Sequence, residues 1–257
     1  MLRRELAYLG AAMMFLTRLP CARWARMHTE QMAPSLRYFP LVGLLIGVIS
    51  AAAYKAALEC RFSAPVGVLA AMGAAIVLTG AFHEDAFADW CDGFGAYTPE
   101  KRLEIMRDSR LGTFGVVGLF FLLAFKAALL ASMPRSWVPW TLIVAPCVAR
   151  WAVLATFYRS PYRAVPNSTV ALFAGKVSGK ELWIGTLLAA TTGLIYGCVP
   201  IAGLLLGVGS TSRLLAAYFV RQLGGLSGDC LGVIVALSEL LTMIALSHVR
   251  PFILHFL

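Results

Sequence analysis

Charge is scarce in this sequence. Lysine, arginine, aspartate and glutamate make up 14% of 257 residues, against 60% hydrophobic residues, and mean hydropathy is +0.77. That composition excludes a soluble globular domain. The alternating segments of about ten residues that mark a transmembrane barrel are missing too. No CxxC pair occurs. Cys21, Cys60, Cys91, Cys147, Cys198 and Cys230 are scattered, which removes disulfide-framework and zinc-ribbon readings and leaves small hydrophobes. The apolar stretch after the basic N-terminus has no small-x-small cleavage site, and Glu5 interrupts its basic start. An uncleaved helix lying at the membrane interface is expected rather than a signal peptide.

What the chain does have is long apolar runs. A spanning helix needs about 20 mainly apolar residues. Candidates lie near 39–58, 64–82, 113–133, 137–157, 183–198, 200–217 and 230–247, with Pro200 pinching the fifth from the sixth and His248-Val249-Arg250-Pro251 ending the last. The fold class expected is an all-α polytopic transmembrane bundle of about seven spans, six to eight, forming one domain over 1–257. Residues 1–38, 83–112, 158–182 and 218–229 are polar and carry 15 of the 22 Lys and Arg, while Arg61, Arg135 and Arg250 lie on the other side. The positive-inside rule puts the four polar segments in the cytoplasm. Seven spans from a cytoplasmic N-terminus would place the C-terminus outside. The net charge of +9 reads as this topological signal, not as a nucleic-acid surface.

Acidic residues number 13, and seven of them fall between Glu84 and Asp108. If residues 83–93 are helical and continue the span before them, Asp85, Asp89 and Asp92 stand at i, i+4 and i+7 on one face. Carboxylates that close repel each other unless a cation sits among them. An all-oxygen set favours Mg²⁺, Mn²⁺ or Ca²⁺ over zinc. Magnesium takes few carboxylates and completes its shell with substrate phosphates. A zinc HExxH motif fails because Phe87 stands where its second histidine belongs, and the glycine and terminal glutamate of an EF-hand are absent. A solvated acidic helix end is the plain alternative.

Downstream, Thr98-Pro99 suits a helix start. Arg107 and Arg110 can fork around phosphate oxygens. Asp108 is either a further metal ligand or a group that orients one of these arginines. In Val220-Arg221-Gln222-Leu223-Gly224-Gly225-Leu226-Ser227-Gly228-Asp229, the glycines let backbone N–H groups approach a phosphate. The competing reading is a glycine-rich turn with Asp229 as N-cap. Arg150, Arg213 and Glu239 lie inside apolar runs, where a charge faces a cavity or a partner. Arg150 is the best of them as a substrate contact, and Glu239 suits pairing with a basic residue such as Arg213. Lys55 and Lys126 are expected to snorkel to an interface.

The segments FHEDAFADWCDGFG and RLEIMRDSRLGTFG, with Phe39–Gly47, Ala149-Arg150-Trp151 and Leu223–Asp229 in the same order, resemble the cobalamin synthase family of adenosylcobinamide-GDP ribazoletransferases. The likeness runs over essentially the whole chain. Ala86-Phe87 and Trp90-Cys91 depart from the family's usual apolar and small residues, but the charged positions are intact. The resemblance implies a Mg²⁺-dependent enzyme of the bacterial cytoplasmic membrane. Its N-terminus and catalytic loops would be cytoplasmic. It would join adenosylcobinamide-GDP to α-ribazole, or to its 5′-phosphate, and release GMP.

On that reading Asp85, Asp89 and Asp92 hold the metal, and Arg107 and Arg110 stabilise phosphoryl charge. Glu84 or His83 takes the proton of a ribose hydroxyl, with Glu84 preferred. Asp108, Ser109, Arg150, Gly224, Gly225, Ser227 and Asp229 contact substrate. The partners are the two substrates and the lipid bilayer, with no nucleic acid. A homo-oligomer, or association with other corrinoid-assembly enzymes, stays open. Two other functions compete. Asp89-x-x-Asp92-Gly93 opens like the motif of CDP-alcohol phosphotransferases, but Ala96-Tyr97 breaks it. A metal or corrinoid transporter would instead place its acids near the bilayer midplane.

Overall fold

The computed structural model describes residues 2–21, 29–108, 110–159, 164–165, 168–173 and 176–255. The helices are α1 (Leu2–Leu16), α2 (Thr29–Ser35), α3 (Phe39–Glu59), α4 (Ala64–Thr79), α5 (Phe82–Asp92), α6 (Pro99–Met106), α7 (Thr113–Ser132), α8 (Val138–Phe157), α9 (Gly179–Gly193), α10 (Cys198–Leu223) and α11 (Gly228–Ser247). The fold is all-helical, as its apolar runs require. One isolated β-bridge, Ala164 with Leu226, is its only sheet-like contact among the described residues.

α8 is the axis. In its apolar window 83% of residues are buried, against 22% in α7, so neighbours surround α8 while α7 faces outward. Gly43 and Gly47, one helical turn apart on α3, let that helix close onto α8. A Cβ at either would collide with the backbone around Pro146 or Leu142. Small residues spaced by four are the usual means of close packing in lipid, where apolar burial alone drives little association.

The span count falls below seven. Among the described residues five helical stretches are long and apolar enough to cross a membrane: Gln31–Glu59, Thr113–Ser132, Val138–Phe157, Cys198–Leu223 and Gly228–Leu254. A sixth follows only if the bent pair Ala64–Thr79 and Phe82–Gly95 counts as one. The expected span at 183–198 is the shortfall. α9 has 15 residues, about 22 Å at the α-helical rise, against a hydrocarbon core of about 30 Å. The break before α10 falls at Gly197, whose φ is +98°, and Pro200 sits harmlessly in the first turn of α10. Nor is 218–229 all loop, because α10 continues to Leu223. α11 does end at Ser247, just before His248.

α5 is helical as expected but does not continue the helix before it. Gly80 and Ala81 both adopt left-handed φ, +70° and +59°, and α5 leaves α4 at 89°. The turn takes α5 off the line of α4 and lays it against α11 and α7. None of the six cysteines is paired, and four of them are buried, in keeping with their reading as small hydrophobes.

Candidate active site

α5 is fixed from its apolar side. A Cβ on Gly232 of α11 would land on the Ala86 methyl, and one on Gly118 of α7 would land on the Cys91 sulfur. That close seating turns Asp85, Asp89 and Asp92 outward as one stripe, Asp85 exposed and the other two half-buried.

Each member of the stripe has different surroundings. Asp92 receives the Gly112 N–H on Oδ2 and the Gly115 N–H on Oδ1, both at 2.7 Å. It therefore satisfies two of the orphan donors at the start of α7. Asp89 stands among three other carboxylates. Burial, and then the charges of Asp85, Asp229 and Asp92, push its carboxyl up to about 7. Coulomb repulsion that raises affinity for a proton raises affinity for any cation. Among the described residues no three His, Cys, Asp or Glu side chains converge into a closed metal cage.

Asp229 belongs with this stripe. The N-cap of α11 is Ser227, which accepts the Cys230 N–H at 3.3 Å and donates to Asp229 Oδ2 at 3.3 Å. Asp229 is thereby released from capping, and its charge interacts with those of Asp85 and Arg107. Gly224 caps α10 with φ +73°, a conformation that suits glycine. Gly225 is buried in the turn that follows. Val165 N–H bonds to Leu226 O at 3.0 Å. Three of the polar segments, 83–112, 158–182 and 218–229, thus meet at one end of the bundle.

Thr98 caps α6 as expected, accepting the Lys101 N–H at 3.3 Å. Arg102 is a clasp that the residue pattern did not reveal. It donates to Gly93 O and Ala96 O at 3.1 Å each and to Gln222 Oε1 at 2.5 Å, tying α6 to α5 and α10. Asp108 grips Arg110 in a fork, with Nη2 to Oδ2 at 2.6 Å and Nε to Oδ2 at 3.0 Å. That contact holds its carboxyl below the usual range, and the Arg110 side chain stays 87% exposed. This is the contact that the arginine-orienting reading of Asp108 expects. Ser109 lies outside the described residues.

The inner side of α5 faces a second set of charges. Arg150 Nη1 donates to Glu239 Oε2 at 3.0 Å and to Pro146 O at 3.2 Å, and its Nη2 stands 3.5 Å from His83 Nδ1. Lys126 Nζ is 3.4 Å from Glu239 Oε1. Lys126 does not snorkel to an interface. It is buried because a carboxylate waits for it in the bundle interior. Glu239 takes Arg150 and Lys126 as partners rather than Arg213, which donates to Tyr158 O. Glu84 lines a cavity of about 30 Å³ with Lys126 and Glu239, and its Oε2 has no hydrogen-bond partner among the described residues. Arg150 and His83 therefore gather behind α5, opposite the aspartate stripe, with Glu84 between the two sets.

The chain is similar to known proteins over nearly its whole length. The sequence profile described as cobalamin-5-phosphate synthase matches residues 8–247. A Ralstonia pickettii protein named adenosylcobinamide-GDP ribazoletransferase is 35% identical over 94% of this chain and 95% of its own length. Proteins of the same name from Vibrio cholerae, at 36% identity over 95% of both chains, and from Escherichia coli, at 35% over 92% of this chain and 97% of its own, are equally similar. No solved structure matches. The profile match and the near full-length relatives together show that this chain belongs to the cobalamin-5-phosphate synthase family.

Proposed function

We propose that the chain is an adenosylcobinamide-GDP ribazoletransferase that uses Mg²⁺. A ribose hydroxyl of α-ribazole, or of its 5′-phosphate, attacks the phosphorus attached to cobinamide. The bond from that phosphorus to the bridging oxygen breaks, GMP leaves, and adenosylcobalamin or its 5′-phosphate forms. The observation that carries the reading is the meeting of Asp85, Asp89, Asp92 and Asp229 beside Arg107 at one end of a membrane bundle. The surrounding face is cytoplasmic in a bacterial inner membrane on the charge argument above.

Asp85, Asp89 and Asp92 would hold Mg²⁺, with Asp229 beside them. The fit lies in the donor set, which is all oxygen and mutually repelling. A closed cage is unnecessary, because Mg²⁺ generally binds one or two carboxylates and fills its shell with phosphate oxygens and water. When bound, Mg²⁺ neutralises the diphosphate and stabilises the leaving oxygen. Arg107 and Arg110 bind phosphoryl oxygens, and the Asp108 fork presets the Arg110 plane. Gly224, Gly225 and Ser227 shape the turn that holds Asp229 in place. Arg150 acts from the interior, behind α5.

Glu84 accepts the hydroxyl proton. It stands about 100° around α5 from Asp85, whereas His83 stands about 200° away on the far side. Glu84 also keeps one oxygen free of hydrogen bonds, while His83 is buried against Arg150.

The test is incubation of membranes carrying the full chain with adenosylcobinamide-GDP, α-ribazole and Mg²⁺. GMP and a cobalamin product are expected. Metal flux with no product would replace the enzyme by a transporter.

A further inference from the structure

α1 crosses the start of α3. Phe15 stacks on Phe39 at 5.8 Å, and Tyr38 donates to Glu5 Oε2 at 2.7 Å. Two cavities flank this crossing. One, of about 380 Å³, is lined by Arg4, Glu5, Tyr8, Arg37 and Lys180; with Glu181 beside Arg37, three cations face two carboxylates. Arg37 is only 3% exposed, and its Nη1 makes no hydrogen bond among the described residues. Glu5 stands 3.6 Å from that nitrogen and Glu181 stands 3.7 Å from Nη2, both beyond good hydrogen-bond length. Both carboxylates have other duties, Glu5 with Tyr38 and Glu181 in the capping box of Ser178. A buried guanidinium with a spare donor, in a cleft of surplus positive charge, suits an anion.

The other cavity, of about 310 Å³, is lined by apolar side chains alone, among them Leu9, Met13, Leu41, Leu45 and Val48. Their linings are neighbours along the chain, Tyr8 beside Leu9 on α1 and Arg37 one turn before Leu41. The apolar groove opens outward at Val48, which is 46% exposed, and Leu2 and Leu6 on α1 are 74% and 48% exposed. These exposed leucines suit a helix resting in the bilayer surface.

We propose that the pair of cavities is one binding site for an anionic phospholipid, with its phosphodiester against Arg4, Arg37 and Lys180 and an acyl chain in the groove. Charge selects the headgroup, and the apolar groove selects a lipid over a free phosphate. This site is independent of the catalytic reading, because none of its residues belongs to the aspartate stripe.

The test is native mass spectrometry of the full-length protein released from detergent. The sample is first equilibrated with equal amounts of phosphatidylglycerol and phosphatidylcholine of matched chains. One phosphatidylglycerol per protein is expected, in preference to phosphatidylcholine. Arg4→Gln with Lys180→Gln, both exposed positions, should weaken retention about thirtyfold, from the contribution of two basic groups near a lipid headgroup. Inorganic phosphate and glycerol phosphate should not displace the lipid. Equal retention of the two lipids, or an unaffected double variant, overturns the proposal. Displacement by inorganic phosphate as efficient as by phosphatidylglycerol overturns the lipid in favour of a plain anion site.

Discussion

Asp92 Oδ2 accepts the Gly112 N–H at 2.7 Å, and Oδ1 of the same carboxylate takes the Gly115 N–H. Asp92 is therefore as much a cap for α7 as a member of the acidic stripe. Asp89, three residues earlier, carries no such bond among the described residues and stands among like charges. The two substitutions should behave differently. Asp92→Asn turns an amide toward a donor and should lower stability by about 1–3 kcal/mol as well as stopping turnover. Asp89→Asn should cut turnover by at least ~10²-fold, the scale of losing one electrostatic stabiliser, with an unchanged or higher unfolding temperature. Thermal unfolding in detergent beside a GMP-release assay reads both. Retained wild-type activity in both variants would sink the metal-site model.

The inner charges make a second prediction. Removing one partner of a buried pair leaves the other uncompensated and costs about 3–5 kcal/mol. Glu239→Gln strands two cations, Arg150 and Lys126. Lys126→Met strands none, since Arg150 still holds Glu239 at 3.0 Å. Unfolding temperature should therefore fall far more for Glu239→Gln than for Lys126→Met. Equal falls would mean that the two cations do not share one carboxylate.

Helix seating makes a third. Gly232→Ala pushes a methyl onto Ala86, an overpacking cost of about 1–3 kcal/mol, and moves Asp89 away from Asp229. The Mg²⁺ concentration for half-maximal activity should rise. Ala86→Gly in the same chain should restore it, and failure of that rescue would show that the α5–α11 contact does not set the site.

Arg110 and Asp108 supply a fourth. Their fork is exposed, so its loss should leave stability within about 1 kcal/mol. Asp108→Ala should raise KM for the GDP-bearing substrate with little change in kcat, because only the aim of Arg110 is lost. Steady-state kinetics on both parameters decides. A fall in kcat with KM unchanged would instead give Asp108 a direct part in the chemistry.

The pattern of apolar runs revealed nearly every long helix, because lipid demands about 20 uninterrupted residues and such a run is visible in one dimension. The spacing of Asp85, Asp89 and Asp92 gave a shared helical face for the same reason, since 3.6-residue periodicity is local. What stayed hidden is what depends on contacts across the chain. Gly80-Ala81 looked like the end of a span, and its left-handed φ angles became a right-angle turn only once α5 had α11 to lie on. Asp229 read equally well as a cap, until Ser227 took that place. Lys126 read as a snorkelling side chain, because its partner Glu239 lies 113 residues away. A charge inside each of three apolar runs was the available hint of that cluster.

The triad of Lys126, Arg150 and Glu239 also bears on how the protein is made. A lone Lys or Arg at the centre of an inserting helix costs about 2.5–3.5 kcal/mol at the translocon. α7 and α8 each bring one cation into the bilayer, and the carboxylate that joins them arrives only with α11. During synthesis the half-built bundle carries two positive charges whose shared partner, Glu239, has not yet been made. α7 and α8 would therefore be retained together near the insertion machinery until α11 emerges. A chain stopped before Gly228 should be cleared by membrane proteases, even though its earlier helices are intact.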